Sequence, residues 1–290
     1  MALKERLASG EFTFIAELQP PKGNHLSELF ECAKSLKGYV HAINVPDLQN
    51  GIMRLGSLSV CALLKQQGVE TIFNLSCSDR NRLALQSELL NASALGLENV
   101  LILQGESPAL GDHYEAKPVF DLDASGLLGA AKRLQEGYDL MGNELKGEPR
   151  FYVGSQVEIR AKGHDFDLEA TEMETKMALG ANFFLTSSVY DPRLFEAFMR
   201  RTASLNVPIM TSVTLLKSAG MARYIDKHVE GASIPEMIIE KLMRASDKQK
   251  ASVEIAREMI RELKPLCQGI QIIPIGWEPL IPAVLGQGGV

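Results

Sequence analysis

Several signatures of common protein classes are missing from this 290-residue chain. No apolar run reaches the roughly 18 residues needed to cross a bilayer. The opening stretch, MALKERLASGEF, has no hydrophobic signal core, so a cytoplasmic location is expected and a membrane is not. Positive charge is not in excess: 30 Lys and Arg stand against 36 Asp and Glu, for a net charge of −6. Without a basic face to neutralise phosphates, nucleic acid is not an expected partner. The four cysteines, Cys32, Cys61, Cys77 and Cys267, contain no CxxC pair and match no common zinc spacing. They read as reduced thiols, mostly in the core. The five histidines (His25, His41, His113, His164, His228) are scattered without metal spacing, so no metal is expected. No GxGxxG follows the first apolar run, which weakens a Rossmann reading.

What is present is an ordinary soluble composition, 46% hydrophobic and 23% charged, in a chain long enough for a sizeable core. Eight short apolar runs recur: FTFIAEL from Phe12, YVHAINV from Tyr39, ETIFNLS from Glu70, NVLILQG from Asn99, RFYVGSQV from Arg150, NFFLTSS from Asn182, PIMTSVTL from Pro208 and GIQIIPIG from Gly269. Between them lie helical patterns. RNRLALQSELLNASALG stops at Gly96, and DLEATEMETKMALG stops at Gly180. Near the C-terminus, two helices are expected with a break near Ser246 and Asp247. Continuous apolar strands alternating with helices imply a parallel sheet covered on both faces. Eight such repeats fit a single (β/α)8 barrel domain over residues 1–290, with an open doubly wound sheet as the rival. The segment from Gln104 to Pro149 is long for a crossover and is expected to lie over the C-terminal face of the barrel.

Active-site groups of a barrel project from the C-terminal ends of its strands. Those ends carry Glu17 and Gln19, Asn44 and Asp47, Ser76 and Asp79, Gln104 and Glu106, Ser155, Gln156 and Glu158, Thr186 and Ser187, Thr211 and Ser212, and Trp277 and Glu278. Glu17 stands out because it interrupts FIAELQPPKG, where apolar neighbours would raise its pKa. A raised pKa suits a general acid near neutral pH. The plainer alternative is a strand-end residue turned to solvent. Asp79 to Arg82 also read as a helix cap with a charged first turn. Lys176 and Lys217 read equally as solvated charges, and Trp277 as a core or rim residue.

The motif AELQPPKG resembles the first-strand motif of methylenetetrahydrofolate reductases, in which a glutamate precedes a Pro-Pro pair. The stretch LSCSDRNRLALQSELLNASALGLENVLILQGESP is similar to the same family's third and fourth strands. GDHYEAKPVFDLD, LKSAGMARY and GIQIIPIGWE fit a bacterial branch of it. The resemblance spans nearly the whole chain. It implies a barrel holding FAD, which takes hydride from NAD(P)H and passes it to methylenetetrahydrofolate, giving methyltetrahydrofolate. Glu17 would be the general acid toward the folate, with the two prolines fixing the strand exit. Glu106 stands where the family has aspartate, near flavin and pterin. The resemblance therefore points to Glu17 and Glu106 as catalytic, to Asn74, Asp79, Gln104, Gly105 and Lys176 as cofactor-binding, and to Gln19, Ser187 and Tyr224 as substrate-binding.

The chain also departs from the family pattern. Pro46 replaces a threonine and Asn74 a histidine; QGE replaces TGD or RGD; GSQVEIR lacks an Asn-Pro. Thr186-Ser187-Ser188 stands where the family ends its sixth strand in Thr-Gln, and a serine has neither the reach nor the donor–acceptor pair of an amide. These changes leave a second activity open: a flavin-independent methyltransferase moving methyl between tetrahydrofolate and a corrinoid protein. A third reading is a non-catalytic subunit bound to an electron-transfer partner. The outer helices of barrels are also surfaces on which copies pair into homo-oligomers.

Overall fold

In the computed structural model, which describes residues 1–159, 166–229 and 231–286, each of the eight apolar runs contains a strand. They are β1 (Thr13–Glu17), β2 (Ala42–Val45), β3 (Thr71–Ser76), β4 (Asn99–Leu103), β5 (Tyr152–Val157), β6 (Phe183–Ser188), β7 (Ile209–Thr214) and β8 (Gly269–Ile273). Each pairs in parallel with its neighbours in sequence order, and β8 returns to β1 with Thr13 opposite Gly269 and Ala16 opposite Ile272. The ring is therefore closed, a (β/α)8 barrel, and the open-sheet alternative falls away. The strands are buried on both faces because helices cover the outside and side chains fill the lumen.

The helices are α1 (Leu3–Ala8), α2 (Ser27–Leu36), α3 (Ser57–Gln66), α4 (Arg82–Ala94), α5 (Ala124–Gln135), α6 (Phe166–Ala178), α7 (Pro192–Thr202), α8 (Ala219–His228), α9 (Glu236–Arg244), α10 (Lys248–Leu263) and α11 (Ile281–Leu285). Their starts follow capping chemistry. Asn81 caps α4 through the Leu83 and Ala84 amides, Asp123 caps α5, and Asp247 caps α10 at the expected break. The charged run from Asp79 to Arg82 thus supplies a helix cap, but the capping residue is Asn81. No helix among the described residues is long and apolar enough to cross a membrane. All four cysteines are free, and burial pushes the Cys61, Cys77 and Cys267 thiols up to about 12.

Alternation along the strands divides the interior in two. Outward residues meet the helices. Inward residues Ile15, Ala42, Ile72, Leu101, Phe183, Leu185 and Met210 form a separate core in the lumen. Leu3 and Leu7 of α1 pack against that inner core. The helix is pinned at the strand N-termini, where the Leu3 amide donates to Glu70 Oε1 (3.1 Å) and Asn99 Nδ2 donates to the same oxygen (2.8 Å). One end of the barrel is thereby plugged with hydrocarbon. The other end, where the inward positions turn polar, is the site.

Candidate active site at the barrel mouth

Two residues beyond Ile15 on the same inward face of β1 comes Glu17, 5% exposed. Its partner across the ladder is Asn44 of β2. Asn74 of β3, Ser212 of β7 and Gln271 of β8 are also buried at the polar end of the lumen. Asn44 Nδ2 donates to Gln271 Oε1 at 2.9 Å, and Gln271 Nε2 donates to Glu17 Oε2 at 3.4 Å. Burial pushes the Glu17 carboxyl up from 4.5 to about 7; a hydrogen bond with Gln19 pulls it down, and the nearby Glu278 carboxylate adds to the rise. An acid buried in this way still carries its proton in a large share of molecules near neutral pH and can give it up. The solvent-facing alternative for Glu17 is excluded by its burial.

The loops after β2, β3 and β4 make one wall of the mouth. Arg80 grips Asp47 with two nitrogens, at 2.7 and 3.2 Å, and the Ser76 amide donates to the same carboxylate at 3.1 Å. Burial, with the Asp79 charge beside it, leaves Asp47 raised although these three donors pull it down; for Arg80, burial works against the charge but the Asp47 carboxylate outweighs it and holds the guanidinium charged. Asp79 sits beside Arg80 at 3.3 Å. Ser76 Oγ and Ser78 Oγ are 2.7 Å apart, and above them passes Gly105 with φ +75°. A Cβ on Gly105 would lie 2.4 Å from Ser76 Oγ, so only glycine lets the β4 exit run this close. Further out, the backbones of Gly51 and Gly111 touch, and Asp112 binds both Lys22 and the Met53 amide. Three loops are thereby tied to one another.

Beside this wall, between the ends of β4 and β5 and helices α5 and α6, lies a cleft of about 540 Å³. Gln104, Asp123, Ser155, Gln156, Glu172 and Lys176 are among its lining residues. Its size falls in the range of small-molecule sites, about 300–1,000 Å³. Lys176 Nζ donates to the Gln156 carbonyl at 3.0 Å, and its half-burial lowers its pKa. Lys176 is thus not a solvated surface charge. Ser155 Oγ is buried without a partner among the described residues. Gln104 Oε1 accepts from the Ala124 amide at 2.9 Å, joining the β4 exit to the start of α5.

Next to β5, β6 carries a bulge. Leu185 pairs with Met210 but Ser188 with Ser212, so Thr186 and Ser187 together oppose Thr211. The hydroxyls answer one another: Thr186 Oγ1 lies 2.8 Å from Thr211 Oγ1, and Ser188 Oγ lies 2.6 Å from Thr214 Oγ1. Trp277 stands at the rim with Lys217 Nζ 5.3 Å from its ring centre.

Glu17, Asn74, Asp79, Gln104, Gly105, Lys176, Gln19 and Ser187 therefore all lie at the C-terminal ends of strands or in the adjoining cleft. Glu106 is at the same end and exposed. Tyr224 stands apart: it is 62% exposed on α8 and its ring stacks on His228 at 4.5 Å. Gln271 was absent from the sequence-derived candidates, although it interrupts GIQIIPIG just as Glu17 interrupts FIAEL. The contribution of Asp123 and Glu172 to the cleft had no sequence signal, because an Asp before a helix is a common cap and a Glu within one a common surface charge.

A family model for methylenetetrahydrofolate reductase matches residues 2–287. Methylenetetrahydrofolate reductase 2 of Schizosaccharomyces pombe is 25% identical over 224 residues, 73% of this chain and 34% of that protein. A Caenorhabditis elegans protein named "Probable methylenetetrahydrofolate reductase (NADPH)" is 27% identical over 215 residues, 71% of this chain and 30% of that one. The chain thus spans about a third of the length of the curated relatives it matches. Among solved structures, 2,3-dimethylmalate lyase superposes with a TM-score of 0.54 at 10% identity, covering 97% of this chain and 83% of the other. Oxaloacetate acetylhydrolase gives 0.53 at 10% identity, covering 97% and 81%. At such identity the likeness is one of fold.

Proposed function

The chain belongs to the methylenetetrahydrofolate reductase family, and from that premise we propose that it reduces methylenetetrahydrofolate to methyltetrahydrofolate. The observation that carries the proposal is Glu17: a carboxyl inside the barrel mouth, held protonated up to about pH 7 by burial. Its role is to hand that proton to a nitrogen of the methylene bridge. The bridge then opens to an electrophilic iminium, which a hydride converts to the methyl group. The apolar residues below Glu17 keep bulk water from delivering protons indiscriminately. Gln19, Ser187 and the exposed Glu106 are the polar groups on the rim that would orient the pterin.

FAD is the cofactor we assign to the adjoining cleft. One feature of the chain fits it: Ser155 Oγ lines the cleft and is buried with no partner among the described residues. Lys176 would face the diphosphate, with Asn74, Asp79, Gln104 and Gly105 toward the ring system. Bound there, FAD would supply the hydride, drawn in turn from NADH or NADPH.

A visible spectrum of the purified protein with added FAD tests the reading. A protein-bound flavin band, bleached by NADH or NADPH and restored by methylenetetrahydrofolate, is the expected result. Failure to bind flavin, with methyltetrahydrofolate still bound, would replace the reductase by a methyltransferase serving a corrinoid protein.

A further inference from the structure

A second polar residue sits where β8 should carry only hydrocarbon. Gln271 is 3% exposed and sits between two partners, Asn44 and Glu17. Its amide has a polarity. Asn44 Nδ2 occupies the Gln271 oxygen at 2.9 Å, so the Gln271 NH2 group is left to face Glu17 Oε2 at 3.4 Å. Glu17 Oε2 is thereby an acceptor, and the proton of the neutral acid resides on Oε1. Among the described residues Asn44 Oδ1 has no hydrogen-bond partner. The two amides thus form a short chain that runs from Asn44 through Gln271 to Glu17.

We propose that Gln271 is a positioning residue for Glu17, and that Asn44 fixes which way round its amide stands. When Glu17 gives its proton from Oε1 to a substrate nitrogen, the electron pair left behind makes a carboxylate. Gln271 Nε2 then donates to that charge, and hydrogen bonds to a charged acceptor are roughly twice as strong as neutral ones. Burial helps the acid keep its proton; the amide chain helps it let go. The groups around the carboxyl make this contribution separable. Asn44 on β2 and Gln271 on β8 carry no charge, and Gln19, just beyond β1, is the other neutral amide that acts on the carboxyl, so it is left in place in every variant. The charged group acting on Glu17 is Glu278, in the segment after β8, and it opposes ionisation. Asp47, on the segment after β2, is occupied by Arg80.

The kinetic part of this inference rests on the reductase reading, and its thermodynamic part does not. The direct test is an infrared pH titration of the protonated-carboxyl band in the ligand-free protein, with Glu17→Gln identifying the Glu17 signal. Gln271→Met keeps the volume and removes the donor. It should move the Glu17 midpoint upward by about one unit, the size of one hydrogen bond to a charged group. Asn44→Leu should move it the same way by less, because Gln271 remains but is no longer held. The double variant should match Gln271→Met alone, since both act through one amide. An unmoved midpoint in Gln271→Met, or additive shifts in the double variant, would overturn the proposal. In turnover assays, kcat should fall in Gln271→Met with its alkaline limb displaced upward, while KM changes little. A purely structural Gln271 would lower activity equally at every pH. If the titration shifts but no folate is reduced, the amide chain stands and the reductase reading fails.

Discussion

Replacing Glu17 by Gln should make the protein more stable at alkaline pH and leave it unchanged in acid. The carboxyl titrates at about 7 in the folded protein against its ordinary 4.5, and each unit of difference is worth about 1.4 kcal/mol. Below pH 4.5 both the folded and unfolded chains hold the proton, and the group contributes nothing to the difference between them. Between 4.5 and 7 the unfolded chain ionises while the folded one does not, so the stability of the parent declines relative to the variant. Above pH 7 the gap is constant at about 3 kcal/mol. The residue is buried, so solvent screening takes little of this away. Glutamine is close in shape and cannot ionise, which isolates the term. Urea unfolding of both proteins at pH 4.5, 6 and 8.5, with equal slopes, reads it directly. Two parallel stability curves, separated by the same amount at every pH, would show that Glu17 is not a buried acid with a raised pKa. The account of its chemistry would go with it.

The same substitution should abolish turnover while leaving folate binding within a few-fold of the parent, as measured by equilibrium titration. Lys176→Ala should weaken FAD binding by about 1–3 kcal/mol, the scale of a charge-assisted hydrogen bond; equal affinities by fluorescence quenching would remove Lys176 from the cleft chemistry. Arg80→Ala leaves the Asp47 carboxyl buried without its guanidinium and should destabilise the fold by about 3–5 kcal/mol, seen as a lowered urea midpoint. Gly105→Ala forces a methyl group against Ser76 at a positive φ. It should cost about 1–3 kcal/mol and lower flavin affinity; a protein indistinguishable from the parent in both would mean that the β4 exit is not a tight fit.

The barrel was legible because its strands announce themselves. Eight apolar runs of similar length, each followed by a helical pattern, became eight strands in the same order, and only ring closure had to wait for coordinates. Glu17 was legible for a related reason: a charge in an apolar run at an inward position has few bland explanations. Gln271 obeys the same rule, but an uncharged amide in a strand is a quieter interruption, and its meaning lies in partners 227 and 254 residues away. The Asp47–Arg80 pair shows the limit from the other side. Both residues could be picked out as strand-exit groups, yet nothing in their spacing says that one neutralises the other. Tyr224 came from resemblance alone, and its exposed position on α8 gives it no neighbours in the lumen through which local chemistry could support that role.

The hydrocarbon plug formed by α1 has a consequence for how the molecule assembles. Leu3 and Leu7 belong to a cluster whose side chains come from strands as far along the chain as β7, Met210 among them. Of these strands only β1, through Ile15, lies near α1 in sequence, so α1 completes its contacts only when the strands have come together. Protection of the Leu7 amide from hydrogen exchange would therefore report the gathering of β1 to β7 around the inner core. Any fragment that stops short of β7 should leave α1 frayed in water, even when its own strands have paired.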